Sequence, residues 1–134
     1  MRAEFTIPGE PVGKGRPRFT KSGHTYTPER TRNYEEITEL CYCRECRNYR
    51  FESAVGVQIH AFYEIPKSAN KERAELMKGG ELLPLKKPDA DNVGKIVLDA
   101  LNGIAWDDDA QVVSLEVQKE YSENPRVEVT ICDK

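Results

Sequence analysis

The chain has 134 residues, of which 38% are hydrophobic and 32% are charged, and its net charge is −3. This composition predicts one globular domain over residues 1–134, and the absence of any run of eighteen apolar residues excludes a membrane-spanning protein. The first residues lack the apolar segment of a secretory signal peptide, so the expected location is the cytoplasm.

The N-terminal segment predicts a strand and a loop. Phe5 and Ile7 alternate with polar residues, as in a strand with one buried face. Repeated prolines and glycines between residues 8 and 18 then interrupt regular structure and indicate an exposed loop. We expect this loop to lead into a hairpin around Ser22-Gly23.

A helix is expected to follow, running to about residue 48. Thr27 is its predicted cap, because threonine accepts a hydrogen bond there and the proline after it fits the first turn. Tyr34, Ile37 and Cys41 recur at helical spacing and would form its apolar stripe.

Three of the four cysteines, Cys41, Cys43 and Cys46, lie in this predicted helix. In a cytosolic protein such thiols are usually reduced or metal-bound. A zinc site is an alternative, but it would need a further ligand from Cys132, His24 or His60. We favour the interpretation that these are small, partly buried helix residues.

Residues 54–64 predict a strand with one buried face, because apolar residues occupy every second position. The connection over residues 67–88 is polar and rich in lysine, with a short helix expected at about 69–77. These features suggest an exposed linking segment between a buried strand and the next regular element.

The clearest helix is predicted over residues 91–102 and ends at Gly103. Its apolar face comprises Val93, Ile96, Val97, Ala100 and Leu101, with Ile104 just beyond the end. Apolar residues then alternate over 113–117 and again over 127–131, which indicates two strands. Asn124-Pro125 is a turn signal between them, so we expect these strands to form a hairpin.

Charge is distributed unevenly along the chain. Residues 11–32 contain six Lys/Arg and one Glu, whereas residues 89–134 contain four Lys/Arg and eleven Asp/Glu. DNA backbone binding requires a local positive surface rather than a positive total. The N-terminal segment therefore predicts a DNA contact. Its candidate residues are Lys14, Arg16, Arg18, Lys21, Arg30 and Arg32.

The residues best suited to catalysis or metal binding flank the predicted 91–102 helix. Asp89 and Asp91 lie at its start, where the helix dipole favours negative charge, and Asp107–Asp109 follow its end. If the next strand runs back along the helix, these groups can meet. Three converging carboxylates repel one another unless a cation lies between them, and their oxygens suit Mg²⁺ or Mn²⁺.

Lys95 lies on the polar face of this helix, one turn after Asp91. An ammonium there can stabilise the charge that develops on a phosphate during in-line displacement. Each feature also has a plainer interpretation: Asp91 as a helix cap, the three aspartates as a solvated loop, and Lys95 with Asp99 as a surface pair. The joint occurrence of these features favours a catalytic site.

These residues resemble a known family. Lys87-Pro88-Asp89-Ala90-Asp91-Asn92, Lys95, the 98–103 segment and the 108–113 segment are similar to the motifs of the RusA family of Holliday junction resolvases. The similarity continues through Lys119 and the expected final hairpin, and weaker similarity, including the 13–18 and 26–28 segments, covers most of the chain.

The resemblance implies a homodimeric, Mg²⁺-dependent endodeoxyribonuclease that nicks four-way junctions symmetrically. It implies a small single α/β domain, with a mixed β-sheet and helices packed on it. By the same resemblance the catalytic residues are Asp89, Asp91, Lys95 and Asp109, and the three aspartates bind the metal, with Asp108 as a further candidate. Because Asp107 adds another acid to that run, the choice of Asp109 depends on the family analogy.

Three other functions stay open from the sequence. A nuclease selective for flaps or forks would carry the same active site. A non-catalytic DNA-binding protein is disfavoured, because unneutralised carboxylates weaken phosphate binding. A metal-binding interaction module is disfavoured by the basic 11–32 segment. For a homodimer, the exposed faces of residues 54–64 and 112–118 are candidate interfaces, since Phe62 and Val112 interrupt their polar sides.

Overall fold

The computed structural model describes residues 1–15, 18–26 and 28–134, and of Arg18 and Tyr26 it describes only the backbone. Its strands are β1 (Arg2–Pro8), β2 (Arg18–Phe19), β3 (Thr25–Tyr26), β4 (Val55–Glu64), β5 (Val112–Ser122) and β6 (Arg126–Asp133). Its helices are α1 (Glu29–Glu45), α2 (Lys71–Lys78) and α3 (Ala90–Leu101), and a 3₁₀ turn spans Asp109–Gln111.

The main sheet has four strands in the order β1-β6-β4-β5. Strand β4 pairs in parallel with β5 and antiparallel with β6, and β6 also pairs with β1. The sheet is therefore mixed, as expected. Strand β5 has a neighbour on one side only and forms an edge.

The predicted hairpin between the last two strands is wrong, because β4 lies between β5 and β6. The short connection around Asn124-Pro125 spans two inter-strand distances, about 10 Å, rather than one. Burial explains the arrangement. The apolar residues of β6 are fully buried, whereas Val113 and Leu115 of β5 are 63% and 45% exposed, which suits an edge position.

The core lies between the sheet and the pair α1 and α3, which pack against each other and onto β1 and β5, respectively. Helix α3 approaches β5 closely, since a β-carbon on Gly94 would lie 3.2 Å from Val117 Cγ2. The expected stripe on α1 is only partly right: Tyr34 is buried, but Ile37 is 43% exposed. The helix instead buries threonine and tyrosine side chains, namely Thr31, Tyr34, Thr38 and Tyr42.

Most predicted elements are confirmed to within a few residues. The buried strand, the short helix and the hairpin around Gly23 are all present. Helix α3 begins one residue earlier than predicted, so Asp89 rather than Asp91 occupies the cap position. Gly103 follows its end with φ +80°. Thr27, the predicted cap of α1, lies outside the described residues.

Among the described residues, no helix is both long and apolar enough to cross a membrane. The four cysteines are free thiols. No described group of three His, Cys, Asp or Glu side chains includes them.

Candidate active site

Helix α3 carries two exposed carboxylates at its start. Asp89 is the cap residue, with extended backbone angles, and Asp91 lies in the first turn. The Asp89 side chain makes no capping hydrogen bond. Within the described residues, no hydrogen bond or ion pair uses either carboxylate. Both groups therefore face solvent at the positive end of the helix dipole, where an additional ligand can reach them.

The segment before Asp89 is anchored to the sheet by two side chains. The Tyr63 hydroxyl donates to the Pro88 carbonyl, and Lys119 Nζ donates to the Lys86 carbonyl at 2.8 Å. Lys119 also lies 5.0 Å above the Tyr63 ring. Burial, with the charges of Asp89 and Glu10, raises the pKa of Tyr63 to about 12, so the phenol stays a donor at neutral pH.

A strap formed by residues 12–15 crosses the start of α3. Gly13 is required there, because a β-carbon would lie 2.8 Å from Pro88 Cβ. The Lys14 backbone N–H donates to the Asn92 carbonyl at 3.1 Å. The Gly15 N–H donates to Thr31 Oγ1 at 3.1 Å. Residues 13–15 of the basic N-terminal segment are thus held beside the start of α3 by contacts of their main chain.

The ammonium of Lys14 is held inside the protein. It lies 3.0 Å from Asp99 and 3.3 Å from Glu35, and its side chain is 18% exposed. Burial lowers the pKa of Lys14, but these two carboxylates outweigh it and raise the pKa overall. The expected Lys95–Asp99 pair is absent from the described contacts because Lys14 takes Asp99 instead. Lys14 therefore joins α1 to α3, and its charge is largely compensated.

A groove of about 660 Å³ lies between the strap and the 86–88 segment. Arg30 lines it, together with Lys86 and Lys87, two lysines that sequence reasoning did not select. The signal for them was available, since they directly precede Pro88-Asp89. Of the predicted DNA contacts, Lys21, Arg30 and Arg32 have exposed side chains. Arg16 and the side chain of Arg18 lie outside the described residues.

The three consecutive aspartates after α3 have different environments. Asp107 pairs with Arg50, which also donates to the Gly103 carbonyl at 2.8 Å. Asp108 caps the 3₁₀ turn, accepting from the Ala110 N–H at 3.0 Å. Asp109 accepts from the indole N–H of Trp106 at 2.8 Å. The first two carboxylates have local structural partners, and the third is held by a buried side chain.

Asp109 lies at the far end of α3 from Asp89. Strand β5 begins just after Asp109, at Val112, and Val112 pairs with Val55 at the start of β4. Tyr63, which contacts Pro88, lies at the other end of β4. Helix α3 has 12 residues, a length of about 18 Å. The expected convergence of the three carboxylates within one chain is therefore not seen, although β5 does run back along the helix.

The donor chemistry of this site fits Mg²⁺ in part. The ion prefers oxygen ligands and is often held by one or two carboxylates together with water and a substrate phosphate. Asp89 and Asp91 match that pattern, and Lys95 is exposed one turn further along. Within the described part of the chain, no three potential ligands come together. The chain thus offers two exposed carboxylates at this end of α3, while Asp109 lies at the other end.

Comparison with known proteins identifies the family of this chain. The chain is similar to an uncharacterized protein, YqaN, from Bacillus subtilis (strain 168), with 38% identity over 133 residues that cover 96% of this chain and 94% of that protein. The family described as Endodeoxyribonuclease RusA matches residues 8–132, which include both carboxylate-bearing ends of α3. This chain therefore belongs to the RusA endodeoxyribonuclease family.

Proposed function

We propose that this protein is a structure-specific endodeoxyribonuclease that resolves four-way DNA junctions by paired, symmetric nicks. The observation that carries the proposal is the pair of exposed carboxylates, Asp89 and Asp91, beside a groove lined with basic residues. In a RusA family member, this combination suits hydrolysis of a phosphodiester. The groove attracts the DNA backbone, and the carboxylates hold the cation that the chemistry needs.

Asp89 and Asp91 would bind Mg²⁺ or Mn²⁺, with Asp109 as the third ligand. Asp108 is a further candidate for a metal ligand. The cation would supply positive charge that stabilises the phosphate in the transition state. Lys95 would add a second positive charge from the polar face of α3. The exposure of both α3 carboxylates and the family to which the chain belongs support these roles.

The separation of Asp109 from Asp89 supports a homodimer with shared sites. A two-fold axis across α3 and β5 would reverse the direction of this helix in the second subunit. The partner's Asp109 would then lie at the Asp89 end. The edge strand β5, with Val113 and Leu115 exposed, offers an apolar surface for such a pairing. Phe62, a residue expected at the interface, is covered by Arg126 of its own chain.

Subunit mixing tests this arrangement directly. We expect Asp89→Asn and Asp109→Asn dimers to be inactive separately. A mixed dimer would combine both defects in one shared site and leave the other site intact, so nicking should return. If each site were built within one subunit, both sites of the mixed dimer would be defective and nicking would stay absent. Light scattering at micromolar concentration establishes whether dimers form.

The DNA path is proposed to follow the groove towards Asp89. Lys86, Lys87 and Arg30 line it and would contact phosphates, while Lys21 and Arg32 would contact DNA outside it. Each lost phosphate contact lowers the slope of log affinity against log salt by about one unit. The triple alanine variant of the groove should therefore flatten that slope for junction binding. An unchanged slope would place the DNA surface elsewhere.

Substrate choice separates this proposal from its alternative. Synthetic four-way junctions, three-way junctions, flaps and linear duplexes should be compared with and without Mg²⁺. We expect paired nicks in opposed strands of the four-way junction and little cutting of linear duplex. Preferential cutting of flaps or forks, with single unpaired nicks, would favour a flap or fork nuclease of the same fold.

A further inference from the structure

The chain contains a single tryptophan, and its indole is completely buried. Trp106 Nε1 donates to Asp109 Oδ1 at 2.8 Å. The backbone around this pair is also fixed, because the Gly103 N–H donates to the Trp106 carbonyl at 2.8 Å. The Asp109 carboxylate, which is half-buried, is therefore hydrogen-bonded to one of the largest fully buried side chains of the core.

The hydrogen bond from Trp106 to Asp109 does more than provide an acceptor for the buried indole N–H. A neutral carbonyl would accept this hydrogen bond without the cost of holding a charge at a half-buried position. Only one carboxylate oxygen, Oδ1, is used by the described contacts. The indole thereby fixes the side-chain orientation and leaves Oδ2 available. A partner of this kind behind a metal-binding carboxylate typically contributes 10- to 100-fold to metal affinity.

We infer that Trp106 is a positioning residue, which orients the Asp109 carboxylate so that its second oxygen can bind the divalent cation. The inference rests on the proposed function, since it takes Asp109 as a ligand. It adds a residue that carries no ligand atom of its own. It also makes the one tryptophan an optical reporter, because a cation on Asp109 would change the field at the indole.

The first test uses tryptophan fluorescence of the dimer. Titration of the wild-type protein with Mn²⁺ should quench or shift the emission, and excess chelator should reverse the change. The matched control is Asp109→Asn, which keeps an oxygen acceptor for the indole but loses the charge. That variant should fold normally and show no change with Mn²⁺. A response retained in Asp109→Asn, or no response in the wild type, would overturn the inference.

The second test removes the donor. Trp106→Phe keeps an aromatic ring in the core and should raise the Mn²⁺ dissociation constant, measured by calorimetry or electron paramagnetic resonance, by about 10-fold or more. Phe51→Leu is the structural control, because Phe51 is also buried and its N–H donates to the Ala105 carbonyl at 2.7 Å. It should lower the melting temperature while leaving Mn²⁺ affinity unchanged.

The outcomes separate this inference from the proposed function. If Trp106→Phe binds Mn²⁺ like the wild type while Asp109→Asn loses binding, Trp106 has only a structural role. If Asp89→Asn and Asp109→Asn still nick junctions, the proposed active site is wrong. If Trp106→Phe fails to fold, benzothienylalanine at position 106, which has the shape of tryptophan but lacks the indole N–H, takes its place in the Mn²⁺ titration, and wild-type affinity would overturn the inference.

Discussion

At the first end of α3, Asp89 and Asp91 are exposed, and no described hydrogen bond or ion pair uses their carboxylates. At the other end, Asp107, Asp108 and Asp109 each accept a contact from their own chain. At the first end the protein holds the main-chain carbonyls of Lys86 and Pro88 and leaves the aspartate side chains without partners. At the second end the aspartate side chains themselves make the contacts.

If these carboxylates bind a cation, as proposed, the two ends of α3 present them in different ways. At the first end the sheet and the strap fix the main chain, and the aspartate side chains are left free to meet the ligand. At the second end a buried indole fixes one side chain directly. Activity should depend most on the charge of the carboxylates at the first end of α3, here called the free end. At the second end, called the fixed end, it should depend most on the orientation of the carboxylate. Substitutions at the two ends should therefore impair the protein in different ways.

The largest effect is expected at the free end. Asp89→Asn or Asp91→Asn should abolish nicking, whereas junction affinity, measured in Ca²⁺ by gel shift, should hold or increase because negative charge beside the phosphates is lost. Stability should change by less than about 0.5 kcal/mol, since both side chains are exposed. Glu36→Gln, at an exposed acid of α1, is the control. Near-normal cutting by either variant would remove that aspartate from the site.

Lys95 should have the next largest effect. Lys95→Ala is expected to lower the single-turnover nicking rate by about 10²-fold, the scale of losing one electrostatic stabiliser. Affinity for the junction should change little. Lys71→Ala, at another exposed helical lysine, should leave both quantities unchanged. If the affinity fell and the single-turnover rate did not, Lys95 would be a phosphate contact rather than a catalytic residue.

Sequence reasoning located both ends of α3 because its signals there are local. The apolar face of residues 93–104 predicts the helix, and Gly103 marks its end with the positive φ that the structure has. The alternation over 54–64 predicts β4 for the same reason. The carboxylates that flank the helix could be selected from the sequence, since their positions follow from the spacing alone.

The relation between the two ends could not be predicted, because it depends on tertiary pairing. The choice of β4 rather than β6 as the partner of β5 is not encoded in the alternation of either strand. Likewise, the proximity of Asp99 to Lys95 in sequence favoured a pair along the helix. The strap instead brings Lys14 to Asp99, which is 85 positions away in the sequence. No local sequence pattern predicts that contact.

Two buried tyrosines allow the anchoring of the free end to be tested. The hydroxyls of Tyr63 and Tyr42 each donate to a backbone carbonyl, that of Pro88 for the first and that of Tyr49 for the second. Tyr63→Phe and Tyr42→Phe should each cost about 1–3 kcal/mol of unfolding free energy, because a carbonyl loses its donor. Only Tyr63→Phe should raise the half-saturating Mg²⁺ concentration for nicking, by a few-fold. Equal Mg²⁺ curves for both variants would show that this anchor is purely structural.

The smallest effect should come from Asp107, and it decides which of the three consecutive aspartates matters. Its side chain is 78% exposed, and Arg50 keeps its contact with the Gly103 carbonyl when the carboxylate is removed. Asp107→Ala should therefore cost less than about 1 kcal/mol, as expected for an exposed ion pair. Nicking and Mn²⁺ affinity should stay at wild-type levels, in contrast to Asp109→Asn. Loss of nicking in a stably folded Asp107→Ala protein would move the essential carboxylate two residues earlier and remove the need for Trp106.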